Sequence, residues 1–305
     1  MSYVVAGGTS GTGVAVVRRL AQQVGAAQIT CFVRPTADTR ALQRLGVRLQ
    51  VGDVTEPASL QAAVRHDTRY LDMTHPKYYA HSIPALVQAG VQRAYFVTTT
   101  GIFSRYHRCA AIYQEGEERI RRSGISYTML RPSMIYGTPR DKNMHRLIRF
   151  LDRCPVFPLF NAGRSLLQPV YVEDLAAGIV TAMSTKGTEG QTYNLAGPSG
   201  ISYREIVETI LRLLGRRVAI IPVPTWLAYA AVRGLQWLPG FPINDEQVLR
   251  LQEDKVFDIA PAAQELHYAP RPFAAGIRQE IVEMQAAGLL RGSSVAAAPS
   301  YEGER

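Results

Sequence analysis

Cysteine is scarce in this chain. Cys31, Cys109 and Cys154 are odd in number and far apart, and none has a partner cysteine or histidine at metal-ligand spacing. That excludes a disulfide framework and a zinc ribbon, and a reducing cytoplasmic setting is the expectation. The six histidines form no His-Glu-x-x-His or comparable pattern, so no metal site is expected. A long apolar run is also missing. The nearest approach, residues 218–232, is interrupted by Pro222 and Pro224, and no membrane-spanning helix is expected. The first residues, Met1-Ser2-Tyr3-Val4-Val5, read directly as a strand, without the basic and apolar regions of a secretory signal.

What remains is ordinary globular material. With 305 residues, 47% apolar and 19% charged, the chain can bury a large α/β core and is not wholesale disordered. Lysine plus arginine is 34 against 25 acids, a net charge of +9. The bases are scattered, and arginines fall at loop positions such as Arg34, Arg140 and Arg164. That distribution suits phosphate-bearing small molecules better than nucleic acid, and no nucleic-acid partner is expected.

The first half alternates short apolar runs with amphipathic ones. Strands are predicted at 3–6, 28–33, 47–51, 69–73, 94–98 and 126–130, all read as apolar. Helices are predicted at 12–24, 38–45, 57–64, 81–89 and 112–122. Apolar strands separated by helices make a doubly wound parallel sheet, an α/β fold. Beyond Pro132 the rhythm loosens. Helices are predicted at 142–151, 173–183, 203–214, 226–238, 260–266 and 273–287, and strands at 170–172, 192–195 and 218–221. This part reads as a small α/β C-terminal substrate lobe drawn mainly from 137–290 and woven onto the sheet, so that 1–290 is one domain. The tail 291–305 is expected to be disordered.

The first strand runs into Ala6-Gly7-Gly8-Thr9-Ser10-Gly11-Thr12-Gly13 and then a helix. Glycines permit the tight turn and the close approach of backbone to a pyrophosphate, and the helix start offers free N–H groups. A strand before, a helix after and further β-α units behind are the context such a motif requires. Gly7, Thr9, Ser10, Gly11, Thr12 and Gly13 are therefore the expected phosphate cradle of a dinucleotide. Arg34 ends the second strand, where an NAD site carries an acid. An arginine there suits a 2′-phosphate and favours NADP(H) over NAD(H), with Arg40 and Arg44 at hand; the alternative is a solvated surface arginine. Asp53 and Val54 follow the third strand, placed for an adenine amino group and ring; the alternative for Asp53 is a helix cap.

These motifs resemble the extended or atypical short-chain dehydrogenases/reductases, the group of nucleotide-sugar epimerases and dehydratases. The resemblance covers roughly residues 1–288. It rests on Gly7-x-x-x-Gly11-x-Gly13, Gly52-Asp53-Val54, Phe96-Val97-Thr98-Thr99-Thr100 and Leu130-Arg131-Pro132-Ser133-Met134-Ile135-Tyr136-Gly137. It continues through Gln168-Pro169-Val170-Tyr171-Val172-Glu173-Asp174, Tyr193-Asn194-Leu195-Ala196-Gly197 and Glu253-Asp254-Lys255-Val256-Phe257-Asp258. The one-residue gap Gly11-x-Gly13 departs from the spacing of extended members. The resemblance implies an NAD(P)-binding Rossmann fold, cofactor contacts from Thr74, Pro132 and Met134, and a homodimer.

The family's acid is a tyrosine followed four residues later by a lysine, and here the pattern fails. Tyr106 is followed at that spacing by Ala110, Tyr113 by Glu117 and Tyr127 by Arg131. The resemblance therefore implies Thr99 and Thr100 as hydroxyls on a substrate oxygen, and Tyr113 or Tyr106 as a rebuilt proton donor. His75 and Lys77 follow the fourth strand on the nicotinamide side. Tyr136, Asn143 and Arg164 are the expected substrate contacts, while Gln168 and Tyr171 read as scaffold. The run from Trp226 to Leu238 is apolar on most faces and flanked by Arg216, Arg217 and Arg233; it either packs on the lobe or touches a membrane or greasy substrate.

Two functions follow from these residues. One is an NADP(H)-dependent oxidoreductase or epimerase-like enzyme on a nucleotide-sugar or related carbonyl or alcohol substrate. The other is a non-redox dinucleotide-binding sensor, assembly factor or scaffold of the same fold. The missing lysine favours the second, and the substrate-lobe motifs favour the first.

Overall fold

A computed structural model describes residues 2–106, 110–138, 141, 143–224, 226 and 253–291. The expectations placed on Cys109, Arg140, Lys142, residues 227–238 and the tail from 292 lie outside them.

Strands and helices alternate through the first half. They are β1 (Ser2–Ala6), α1 (Gly11–Val24), β2 (Ile29–Val33), α2 (Arg40–Arg44), β3 (Arg48–Val51), α3 (Pro57–Ala63), β4 (Thr68–Asp72), α4 (Tyr79–Gln88), β5 (Arg93–Val97), α5 (Ala110–Arg122) and β6 (Ser126–Pro132). The lobe follows with β7 (Ile135–Tyr136), α6 (Met144–Arg153), β8 (Val156–Phe160), β9 (Leu166–Leu167), β10 (Val170–Tyr171), α7 (Val172–Ser184), β11 (Thr192–Leu195), β12 (Ile201–Ser202), α8 (Tyr203–Leu214), β13 (Ala219–Val223), α9 (Ala260–Leu266) and α10 (Phe273–Ala286).

Seven strands form one parallel sheet in the order β11-β6-β5-β4-β1-β2-β3. It is a doubly wound Rossmann sheet. Alternation along β1 shows why it is buried on both faces. Tyr3 and Val5 enter the core cluster under α1 and α7, while Val4 and Ala6 enter the cluster that holds Leu60, Ile83, Leu86 and Ile120 of α3, α4 and α5. The reading of every strand as apolar fails at β3. It is the sheet edge, and Arg48 and Val51 are exposed there. The helix expected at 38–45 is shortened to Arg40–Arg44, because the Asp38 carboxylate accepts from the Arg40 N–H at 3.2 Å and turns the chain first.

The strand order reverses between β1 and β4, since β2 and β3 lie on one side of β1 and β4 to β6 on the other. Crossovers there leave a crevice at the carboxyl ends of the strands, where open α/β sheets bind ligands. Three small ribbons, β10 with β7, β12 with β9 and β13 with β8, build the lobe beside it. Glu280 of α10 and the segment 253–258 tie the lobe back to the sheet.

Candidate functional site

The glycine turn sits at the strand-order reversal. Gly7 has φ 83°, and a Cβ there would lie 2.7 Å from the backbone of Met73 at the end of β4. A Cβ on Gly13 would lie 2.4 Å from the Gly7 carbonyl oxygen. Both positions are therefore closed to side chains, and the turn keeps its backbone bare. Ser10 caps α1: its Oγ accepts from the Gly13 N–H at 2.9 Å and donates to the Gly7 carbonyl at 3.2 Å. That hydroxyl shapes the cradle from within. The first turn of α1 holds no acid, so its positive end is unopposed. Gly11 borders Thr138, whose side chain would meet a Cβ at 3.2 Å. A bare turn, a capped helix start and no competing carboxylate fit a pyrophosphate.

At the adenosine end, Arg34 is exposed directly after β2 and forms no ion pair with a described residue. Arg40, in contrast, is held by Asp38 at 2.8 Å. Asp53 is not a helix cap; Glu56 occupies that position for α3. The Asp53 Oδ1 accepts from the N–H and hydroxyl of Thr55 at 2.8 and 2.7 Å, and these bonds, with the positive charge of Arg34 nearby, hold its pKa below the ordinary value. Val54 is buried in the core with Phe32 and Leu60.

Beyond the reversal, β4 ends on Asp72, which is fully buried. Burial raises its pKa, and donors offset part of that: Thr74 N–H at 2.9 Å, Thr74 hydroxyl at 2.6 Å, and the Tyr70 and Ser82 hydroxyls at 3.2 Å each. Thr74 is thereby locked, and with it the direction of the loop carrying His75. The His75 Nδ1 accepts from the Lys77 N–H at 3.2 Å, so in the neutral ring Nε2 is the donor. Desolvation first, and the charge of Lys77 second, lower the His75 pKa and keep the ring neutral at pH 7.

Three segments converge on Gly101. The Tyr113 ring of α5 would meet a Gly101 Cβ at 3.2 Å, and the Thr99 hydroxyl oxygen would meet it at 3.3 Å. The His75 and Tyr113 ring centroids are 5.6 Å apart. The Thr99 Oγ1 accepts from the Gly101 N–H at 3.0 Å, which leaves its proton free to donate. Thr99, Tyr113 and His75 are thus brought together at the carboxyl ends of β4 and β5. Tyr106 lies on the exposed rim.

Two expected site residues prove structural. Thr100 is buried and its hydroxyl donates to the Pro132 carbonyl at 3.2 Å, fastening the turn after β5 to the end of β6. Tyr136 is fully buried; its hydroxyl reaches the Phe273 carbonyl at 3.4 Å and its ring lies 5.3 Å from that of Phe273. The extended backbone of the β7 bridge turns Tyr136 into the core, so it is not a substrate contact. Met134 packs, half-buried, against the core. Asn143, exposed, precedes α6, and Arg164 is exposed beyond β8. Gln168 is scaffold, as expected: its amide donates to the Gly197 carbonyl at 2.7 Å and accepts from the Phe257 N–H at 2.6 Å.

The sequence reading singled out 253–258 as a family motif but gave it no place in the site. Glu253 accepts from the Ser104 hydroxyl at 2.6 Å and the Arg105 N–H at 2.7 Å, and Asp254 accepts from the Leu166 N–H at 2.8 Å. These bonds seat segment 253–257 over the turn after β5, with the Phe103 and Phe257 rings 5.8 Å apart. Beneath it Glu117 is fully buried, paired with Arg131 and, at 3.0 Å, with Arg121, and accepting from the Thr98 hydroxyl at 3.0 Å. The only sequence signal was an acid on the apolar side of α5.

The fold and this crevice define an NAD(P)-binding protein. Two family models match: one described as NAD(P)H-binding over residues 7–149, the other as the NAD dependent epimerase/dehydratase family over 104–196. Together they run from the glycine turn to the end of the sheet, so this stretch of the chain matches NAD(P)H-binding and NAD dependent epimerase/dehydratase sequences. It is 27% identical over 244 residues to an NAD(P)H azoreductase of Xenophilus azovorans, covering 76% of this chain and 80% of that one. It is 31% identical over 142 residues to the mitochondrial NADH dehydrogenase [ubiquinone] 1 alpha subcomplex subunit 9 of Arabidopsis thaliana, covering 45% of this chain and 35% of that one. Among solved structures, an NADPH-dependent quinone oxidoreductase of Escherichia coli shares the fold with a TM-score of 0.74 and 22% identity, over 93% of this chain and 99% of that one.

Proposed function

We propose that this protein is an NADPH-dependent reductase of a conjugated, electron-poor acceptor, of azo or quinone type. NADPH would be held by the glycine turn and Arg34 and, when bound, supplies the hydride. The observation that carries the reading is the cluster over Gly101: Thr99, Tyr113 and His75, with no lysine four residues after Tyr113 and with the Phe103–Phe257 ring pair at the end of the same turn. An ordinary ketone needs a tuned acid, because its alkoxide is strongly basic. An acceptor that spreads the incoming charge over a conjugated system needs donors only to steady one polar atom. Thr99 and the His75 Nε2–H orient that atom, Tyr113 relays a proton to it, and the two phenylalanine rings pack on its flat face. The azoreductase relative supports this over the nucleotide-sugar substrate that the epimerase-type motifs imply.

The test is a single-turnover assay of bound NADPH against a benzoquinone, an azo dye and a 4-keto nucleotide sugar. Oxidation by the first two, slowed about tenfold to a hundredfold by Thr99→Val and by Tyr113→Phe, is expected. Oxidation by the nucleotide sugar alone refutes the acceptor class. Binding without oxidation by any acceptor supports the second reading, a non-redox nucleotide-binding subunit, which the likeness to the respiratory-complex subunit favours.

A further inference from the structure

We propose that the ribbon of β8 and β13 is a docking surface for an anionic lipid bilayer. The inference does not depend on turnover or on the acceptor. β8 reads Val-Phe-Pro-Leu-Phe and β13 reads Ala-Ile-Ile-Pro-Val, with no polar side chain on either strand. The parallel register sets Val156 beside Ala219 and Pro158 beside Ile221. Phe157 and Leu159 are buried in the core, while those four residues are exposed. A ribbon with one face packed and one face in water normally alternates apolar with polar residues. Here the water-facing side is apolar as well. Phe150 of α6 is a further exposed aromatic beside the ribbon, 43% exposed, with its ring 5.8 Å from that of Phe157 on the packed face. Trp226, 72% exposed, follows shortly after β13.

Charge says what covers this face. Arg146, Arg149 and Arg153 recur at helical spacing along α6, on the stripe that carries Phe150. Arg212, Arg216 and Arg217 lead into β13. Because the strands are parallel and Ala219 pairs with Val156, Arg217 and Arg153 come to the same end of the ribbon. None of these six arginines forms an ion pair with a described residue. Residues 144–160 and 212–224 contain one acid, Asp152, which is buried and accepts from the Arg291 N–H at 2.8 Å. Apolar and aromatic side chains edged by uncompensated arginines match an interface of acyl chains and anionic headgroups. A symmetric pairing of two copies through this face would instead bring the same arginines together. The sequence after Trp226 continues apolar, which adds to the same side of the balance.

The full chain is floated with vesicles of phosphatidylcholine alone and of phosphatidylcholine containing phosphatidylglycerol. Flotation with the anionic vesicles only, weakened by salt, is expected. Ile221→Asp, and separately the pair Arg216→Glu with Arg217→Glu, should each lower the bound fraction roughly tenfold or more. Their unfolding temperatures should stay at the wild-type value, since all three side chains are exposed. Absence of flotation with anionic vesicles overturns the proposal. So does flotation that neither variant weakens. A dimer in solution that Ile221→Asp dissociates, with no flotation, also overturns it and assigns the face to a second copy.

Discussion

Glu280 offers a quantitative test of the electrostatics that hold the lobe to the nucleotide turn. It projects from α10, is almost wholly buried, and its Oε2 accepts from the Gly137 N–H at 3.0 Å. Its other oxygen has no ordinary donor, and neither has Oδ2 of Asp141. The Asp141 charge acts on Glu280 and, with burial, favours a proton on Glu280 in the folded chain. Burial, then the charge of Asp141, push the Glu280 pKa up to about 9, with Glu283 adding a smaller repulsion. In the unfolded chain the group returns to the ordinary value of 4.5. Between these limits the folded state holds one proton more than the unfolded state. This contribution to stability is therefore complete below the unfolded value and is lost as pH rises toward the folded one, at about 1.4 kcal/mol per pH unit. Glu280→Gln keeps an acceptor for Gly137, supplies an N–H to Asp141 and removes the titration. Urea unfolding at several pH values from mildly acidic to mildly alkaline reads the effect. The variant's stability relative to wild type should rise with pH, by roughly 1 kcal/mol per unit. Parallel curves would show that Glu280 is ionised in the folded protein and would refute the retained proton.

Other residues give sharper single outcomes. Gly13→Ala, whose Cβ would stand 2.4 Å from the Gly7 oxygen, should weaken NADPH binding about a hundredfold or more in a fluorescence titration. Arg34→Ala should weaken NADPH about tenfold by calorimetry and leave NADH unchanged, because only a 2′-phosphate uses the guanidinium. Glu117→Ala leaves the half-buried Arg131 without its carboxylate and should cost about 3 kcal/mol of unfolding free energy. Glu117→Gln, which keeps an acceptor for Thr98, should cost less.

The sheet was legible because parallel strands buried on both faces are continuous apolar runs. Helix ends were legible where the caps are in the chain itself. The prediction of 203–214 is met by α8, which opens on the reciprocal Ser202–Glu205 cap and stops at Gly215 with φ 64°. The ribbons β7, β9 and β12 are two-residue bridges, too short for any period, and β8 was hidden by Pro155 before it and Pro158 within it. Motif position placed Thr99 and Thr100 side by side, but only packing decides that one faces the crevice and the other fastens Pro132. The same is true of Tyr136. The carboxylate contacts that shape the site join Glu253 to Ser104, Glu117 to Arg131 and Glu280 to Gly137. These partners are distant in the chain, and no local pattern announces them.

Segment 253–257 has an evolutionary consequence. The stretch that the family models recognise ends at residue 196, before this segment begins. The glycine turn, Arg34 and Asp53 are therefore written in a part of the gene separate from this segment. Mutations that exchange Phe257 or move Glu253 off Ser104 can reshape the turn after β5 while the glycine turn, Arg34 and Asp53 are left as they are. Selection can change the surroundings of the turn after β5 without rebuilding the nucleotide turn.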